Sequence, residues 1–322
     1  MKKILALSLA LILIMGAIFT IRFIKSPSYS EKTEFALNTV IKISAYGKDA
    51  EIAVDKALKE VHRIDALMSA HKASSEVYML NSSNGMTVSK EVFDIIKTAK
   101  DIWQKTDGAF DITLKPLSDM WNIKAENPKI PDNAEIENAL LKTGFQYIEL
   151  NEENFSVSFK KEGMQIDLGG IAKGYAADRA AFILKENGIE NALIDLGGNV
   201  YAIGKNRNKK HWKIGLQTPW EKRGEYYEVV EAKDTAVVTS GAYERYFEKD
   251  GKIYHHILNP ETGYPAESEF QSVTVIHKNS ALADALSTAI FVSGEKGALK
   301  AKAEFKDIKI IVVTKTSEVK QY

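Results

Sequence analysis

The chain has 322 residues, enough for one large core or two modest ones, and its 45% hydrophobic and 27% charged content is that of a folded globular protein rather than a disordered one. With 43 basic residues against 43 acidic ones, no net field draws it to nucleic acid or to an anionic membrane, so any anion site has to be local. Cysteine is absent, which removes disulfides, thiolate metal sites and a cysteine nucleophile.

Met1-Lys2-Lys3 opens an apolar run from Ile4 to Ile24, broken mainly by Ser8, Gly16, Thr20 and Arg22. A cleaved signal peptide has a shorter apolar region and a small-x-small site, whereas this run continues past Gly16-Ala17 and ends at Arg22 and Lys25. The pattern favours an uncleaved membrane anchor over residues 1–25, with a cleaved signal as the alternative. Basic residues flank both ends, so the positive-inside rule leaves orientation undecided. Residues 26–32, with Pro27, read as a linker, and residues 33–322 as the globular part.

Within the globular part, Phe35 to Tyr46 alternates and is β-branched enough for a strand. Ala50 to Leu67 places Ile52, Ala53, Ala57, Val61 and Ile64 at helical spacing, and Ser89 to Thr106 does the same with Val92, Ile95, Ile96, Ala99 and Trp103 behind a Ser89 N-cap. Asp107 to Asp111 then reads as a turn. A short helix is predicted over Asp132 to Thr143, and a hairpin pairs Gln146–Leu150 with Phe155–Phe159. Strands follow at Trp212–Gln217, Tyr227–Glu231 and Ala236–Thr239, then a helix at Ser280–Ser293 and a last strand at Ile308–Val313. Ser240 lacks the G-x-S-x-G elbow of a hydrolase nucleophile.

The stretch Asp167 to Tyr175 reads DLGGIAKGY, between a strand-like approach, Met164 to Ile166, and a helix-like run, Ala176 to Lys185. Adjacent glycines let a backbone approach a ligand closely, and the amides opening a helix carry a partial positive charge, so the turn suits a diphosphate. Lys173 lies where an ammonium can reach a phosphate oxygen, and Asp167 where a carboxylate can accept from a ribose or ring N–H. The order matches neither a P-loop nor GxGxxG, and read alone it is also a plain strand-to-helix turn with Lys173 in solvent. Ile194 to Gly198 repeats Ile166 to Gly170 residue for residue, and two such turns at the ends of neighbouring strands would face one cleft.

Two further clusters carry chemistry. His255-His256 stands at a strand end before the turn Asn259 to Gly263; histidine is the natural base near neutral pH, and strand neighbours face opposite sides, so only one of the pair can look into a given cleft. Asp284 and Thr288, four apart on one helix, share a face and suit a hard divalent cation such as Mg²⁺. The alternative is a Thr288 hydroxyl bonded back to the Asp284 carbonyl, with the carboxylate in solvent.

Four segments in this order, DLGGIAKGYAADRA, NALIDLGGNVYAIG, HHILNPETGYPA and ALADALSTAIF, resemble the ApbE family, the FAD:protein FMN transferases formerly described as thiamine-biosynthesis lipoproteins. The likeness runs from about Thr33 to the C-terminus. It implies a mixed α/β (α+β), T-fold-like architecture after the N-terminal membrane segment, two-lobed, with the nucleotide between the lobes. The implied reaction is Mg²⁺-dependent transfer of the FMN half of FAD to a threonine or serine hydroxyl of another protein, with AMP released. In that reading Asp284, Thr288 and the Gly170 carbonyl hold the metal, and His256 is the base. FAD is held by Ala109, Phe110, Asp111, Asp167, Lys173, Ile257 and His71, the last standing where the family usually presents a tyrosine. Metal-dependent hydrolysis of FAD to FMN and AMP, and non-catalytic carriage of FAD, are the alternatives. The implied acceptors are exported flavoproteins such as Rnf- or Nqr-type electron-transport subunits, met outside the cytoplasm by a membrane-anchored domain. The lipid-attachment cysteine of many members is missing here.

Overall fold

Residues 28–222 and 224–322 are described by the structure, a computed structural model; the apolar run expected to anchor the chain lies outside them. Among the described residues, no helix is long and apolar enough to cross a membrane. The first half of the chain forms β1 (Tyr29–Ala36), β2 (Thr39–Tyr46), α1 (Ala50–Met68), α2 (Glu76–Ser83), β3 (Gly85–Thr87), α3 (Lys90–Lys105), α4 (Lys115–Trp121), α5 (Asn133–Leu140), β4 (Ile148–Asn151) and β5 (Ser156–Phe159). The second half forms α6 (Ala172–Glu186), β6 (Asn191–Leu196), β7 (Asn199–Ile203), β8 (Trp212–Gln217), β9 (Tyr226–Ala232), β10 (Thr235–Gly241), β11 (Tyr246–Lys249), β12 (Lys252–His255), β13 (Phe270–His277), α7 (Ser280–Glu304), β14 (Lys309–Thr314) and β15 (Val319–Gln321).

Eight strands make one antiparallel sheet in the order β1-β2-β6-β7-β10-β13-β14-β15. Successive side chains of a strand point to opposite faces, and the sheet uses both. On β10, Ala236 and Val238 join the main core, which includes residues of α1, α6 and α7, while Val237 between them joins Trp212, Ile214 and Leu216 of the β8–β9 ribbon. Helices therefore cover one face and a two-stranded ribbon the other. On α1, Ala53, Ala57, Val61 and Ile64 of the expected stripe are buried, but Ile52 is exposed and Val54 takes its place in the core; α3 starts where its Ser89 hydroxyl accepts from the Val92 N–H at 3.3 Å.

Beyond Ile52, the structure departs from the sequence expectations at four places. The strand expected over residues 35–46 is a hairpin whose first arm begins at Tyr29, inside the stretch expected as linker, and turns on Leu37 and Asn38 with positive φ at both. Met164 to Ile166 is extended but joins no sheet, because the Asn81 side chain takes the place of a neighbouring strand: its Oδ1 accepts from the Ile166 N–H (2.8 Å) and its Nδ2 donates to the Ile166 carbonyl (2.9 Å). The second Asp-Leu-Gly-Gly is the β6–β7 hairpin turn, with φ of 68° at Gly197 and 99° at Gly198, rather than a strand-to-helix turn like the first. The helix expected to stop at Ser293 breaks at Gly294 (φ 65°) and then continues to Glu304, with the Glu269 carboxylate accepting the Glu295 N–H at 2.9 Å.

α6 and α7 meet where Gly174 lies against the first residues of α7. A Cβ at 174 would sit 2.6 Å from the Ser280 carbonyl carbon and 2.7 Å from the Ala281 Cα, backbone atoms that cannot swing aside. Gly174→Ala should therefore force the helices apart and destabilise the protein by about 1–3 kcal/mol or more, measured by urea denaturation. An unchanged urea midpoint would mean that the contact is not tight in solution.

Candidate active site

A cavity of about 330 Å³ opens at the start of α6, the start of α7, the Asp107–Leu114 segment and the end of β12. All the residues singled out from the sequence line it: His71, Ala109, Phe110, Asp111, Asp167, Gly170, Lys173, His256, Ile257, Asp284 and Thr288. The second Asp-Leu-Gly-Gly turn does not; Asn199, the residue after it, does.

The first turn is held by its own groups. The Asp167 Oδ1 accepts from the Gly169 N–H at 2.8 Å, and the Phe110 ring lies so close beneath Gly170 that a Cβ there would come within 3.0 Å of it. The amides expected to point outward are largely engaged. Those of Ile171 and Ala172 both donate to the Leu168 carbonyl, that of Tyr175 to the Ile171 carbonyl, and that of Gly174 to Asp284 Oδ2 at 2.9 Å. Asp111 is likewise used locally, accepting from both the Thr113 N–H and hydroxyl (2.8 and 2.7 Å); burial pushes its carboxyl up while those bonds pull it down. Anion binding in this cavity therefore falls mainly to side chains.

Asp284 is 3% exposed and receives, besides the Gly174 N–H, the Lys173 ammonium at 3.1 and 3.3 Å on its two oxygens. Thr288 makes only a long contact to the Asp284 carbonyl (3.5 Å), which Ser287 takes instead at 2.8 Å, and its hydroxyl lies 3.3 Å from Ser240 Oγ. The Asp284 carboxylate and the Thr288 hydroxyl are hard oxygen donors, and Gly170 lines the same cavity. They suit Mg²⁺, which takes few protein ligands, and Lys173 already places a cation on the carboxylate. Among the described residues no group of three or more histidines and acids is arranged to hold a metal, as a transition-metal centre would need.

The two histidines separate cleanly. His255 is buried: its Nε2 donates to the Ala266 carbonyl (3.1 Å), its Nδ1 accepts from the Ile257 N–H (3.3 Å), and its ring stands edge-on to Phe291. Both nitrogens are spent on the fold. His256 lines the cavity, with Nδ1 3.3 Å from the Arg245 carbonyl, an oxygen that can only accept. The proton is thus on Nδ1, and Nε2 is left as an acceptor. Burial, with the Arg245 charge as a second cause, lowers the His256 pKa to about 3, and burial lowers that of His255 to about 4, so both rings are neutral at pH 7.

Several lining residues have no signature in the sequence. Arg245 and Lys115 belong to no motif, and Ser240 sits in a Ser-Gly segment indistinguishable from an ordinary turn. Asn199 is 3% exposed with no partner for its Nδ2, a donor that a substrate in the cavity would satisfy; the only hint was its place directly after the repeated turn.

A cavity that combines a buried carboxylate, cationic side chains and a neutral imidazole defines a protein equipped for phosphoryl chemistry on an anionic substrate. Residues 37–312 match the model of the ApbE family, and the chain belongs to that family. It is 37% identical over 286 residues to a FAD:protein FMN transferase of Klebsiella pneumoniae (strain 342), covering 88% of each chain. It is 32% identical over 302 residues to one of Treponema pallidum (strain Nichols), covering 88% of this chain and 83% of the relative. Among solved structures it resembles the ApbE protein of Thermotoga maritima with a TM-score of 0.84 and 36% identity, covering 91% of this chain and 97% of the other. The flavin transferase ApbE from Vibrio cholerae follows at 0.82 and 28%, covering 92% and 97%. The mixed α/β fold expected from the sequence is the one these structures have.

The two histidines give the stability a pH dependence. Unfolded, both His255 and His256 protonate near pH 6.5; folded, His255 resists until about pH 4 and His256 until about 3, so the unfolded state binds more protons in that range and stability falls as the pH drops through it, by up to ~1.4 kcal/mol per unit for each ring. Asp178 opposes this, since burial raises its carboxyl from 3.8 to about 6 and the folded state holds the extra proton in that window. Urea midpoints should fall from pH 7 to pH 5, and His255→Gln should flatten the fall. An identical slope in the variant would show that burial does not hold His255 neutral.

Proposed function

We propose that the protein is a FAD:protein FMN transferase, moving the FMN half of FAD to a threonine or serine hydroxyl of an acceptor protein and releasing AMP. The observation that carries this reading is the convergence of His256, Lys173, Gly170, Asp284 and Thr288 on one cavity, in a chain whose relatives bear that name. The hydroxyl oxygen attacks the flavin-side phosphorus, the bond from that phosphorus to the bridging oxygen breaks, and the bridging oxygen leaves with AMP. His256 keeps Nε2 free to accept the hydroxyl proton, because its Nδ1–H is held by the Arg245 carbonyl. Lys173 presents its ammonium to the diphosphate, and Ala109, Phe110 and Ile257 give the flavin an apolar wall. Asp284, Thr288 and the Gly170 carbonyl would hold Mg²⁺, whose charge offsets that of the diphosphate.

The signal-like apolar run from Ile4 to Ile24, together with the family likeness, supports carriage of the domain to the outer face of the cytoplasmic membrane, where exported flavoproteins of the Rnf or Nqr kind would serve as acceptors. Incubation with FAD, Mg²⁺ and such an acceptor, followed by mass analysis, tests the function. An FMN adduct on the acceptor with equimolar AMP is expected; free FMN and AMP without adduct would mean that water is the acceptor instead.

Three substitutions should give separable defects. Asp284→Ala should abolish metal-dependent transfer. His256→Ala should leave FAD bound while slowing transfer by about 10²–10⁴-fold, the usual cost of a lost general base. Lys173→Gln removes the ammonium from the Asp284 carboxylate, and should bind Mg²⁺ more tightly but FAD more weakly in calorimetry. Parental transfer rates for His256→Ala would sink the base assignment.

A further inference from the structure

Three lysines or arginines line the cavity, and two already have a carboxylate partner: Lys115 pairs with Asp119, and Lys173 with Asp284. Arg245 is the third, and among the described residues no carboxylate lies within ion-pair distance of its guanidinium. A guanidinium beside a cavity normally finds an acid, because leaving it unpaired in a partly dry environment is unfavourable. A second cation stands near it instead: after burial, the charge of Arg245 is the second cause of a lowered Lys124 pKa.

The position is also built with care. Arg245 stands between Tyr243 and Tyr246, and both of those rings meet Trp220 edge-on, at 6.1 and 5.3 Å. Trp220 itself adopts a positive φ of 66°, a strained conformation for so large a side chain. The Arg245 carbonyl accepts both the backbone N–H of His256 (3.1 Å) and its ring Nδ1–H (3.3 Å), so the residue that carries the free cation also orients the base. Meanwhile the opening amides of α6, the other source of positive charge, are mostly turned inward. A reaction that displaces AMP from a diphosphate needs cations on its non-bridging oxygens, and an arginine fork fits two of them at once.

We propose that Arg245 is a catalytic residue of the transfer reaction, its guanidinium binding non-bridging oxygens of the diphosphate beside His256. This rests on the transferase reading above. As the acceptor oxygen bonds to the flavin-side phosphorus and the bridging oxygen departs on AMP, negative charge grows on oxygens that the fork holds, while the hydroxyl proton passes to His256.

The test uses the full chain and its Arg245→Gln and Arg245→Lys variants. Calorimetry with FAD and with riboflavin, which lacks phosphate, should show Arg245→Gln binding FAD about tenfold more weakly and riboflavin unchanged, as expected for a lost charge-assisted contact. At saturating FAD its transfer rate should fall by about 100-fold or more, with Arg245→Lys recovering part of it. The acid limb of the rate profile should move upward in pH, because burial and the Lys173 charge still oppose His256 protonation but the Arg245 charge no longer does. Parental rates, or an equal loss of riboflavin binding that marks a merely structural residue, would overturn the proposal. If the parental protein binds FAD but flavinylates no acceptor, the transferase reading fails by itself, and the FAD-against-riboflavin comparison still decides whether Arg245 contacts the diphosphate.

Discussion

A carboxylate buried to 3% exposure is the constraint on which this arrangement depends. A charge that deep has to be met by donors, and Asp284 on α7 draws both of its own from the first turn of α6, the Gly174 N–H and the Lys173 ammonium. The clasp is reciprocal. One turn further along α6, the Asp178 carboxylate accepts the Ser280 and Ala281 N–H groups that open α7, at 2.8 and 2.9 Å. Each helix gives backbone donors to a carboxylate of the other, and position 174 has to be a glycine for the backbones to come that close. The start of α6, which carries the glycine turn, is thereby fixed relative to the start of α7, which carries Asp284 and Thr288.

The opposite wall comes from a different source. β11 and β12 form a small hairpin of their own, and the ladder continues past it when the His256 N–H donates to the Arg245 carbonyl. The same carbonyl receives the ring proton, so main-chain pairing and side-chain tautomer are fixed by one oxygen. The chemistry thus sits between two rigid constructions, a helix pair locked by buried charge and a hairpin locked by a β-ladder. This is the preorganisation that electrostatic catalysis requires.

Periodicity carried the regular elements: the buried stripes of α1 and α3, the β4–β5 hairpin and the strands of the second half lie close to where hydrophobic spacing puts them. The cavity residues were legible because they sit in compact motifs at element ends, where a glycine pair, a histidine pair or an Asp-x-x-x-Thr spacing is visible without the fold. What stayed hidden depends on contacts distant in sequence. Nothing local shows that the Asn81 amide would stand in for a strand beside Ile166, or that one copy of Asp-Leu-Gly-Gly would open a helix and the other turn a hairpin. The histidine pair could be narrowed to one but not assigned from residues alone, since alternation says only that the rings diverge. An unpaired cation such as Arg245, or an orphaned donor such as the Asn199 Nδ2, is defined by what fails to surround it in space, and no linear pattern records that.

The adjacency of His255 and His256 ties two unlike requirements to a single count of residues. One ring fills the core against Phe291, the other faces the cavity, and only the alternation of the strand decides which is which. Inserting or deleting one residue in the Asp250-Gly251 turn, so that β12 slid by one position against β11, would put one imidazole in the other's place and carry the other one position beyond, so that core packing and chemistry could not both be kept. Two histidines in a row would then be no safeguard. With positive φ at both Asp250 and Gly251, the turn is constrained in composition as well as in parity, and length changes near it should survive only in steps of two.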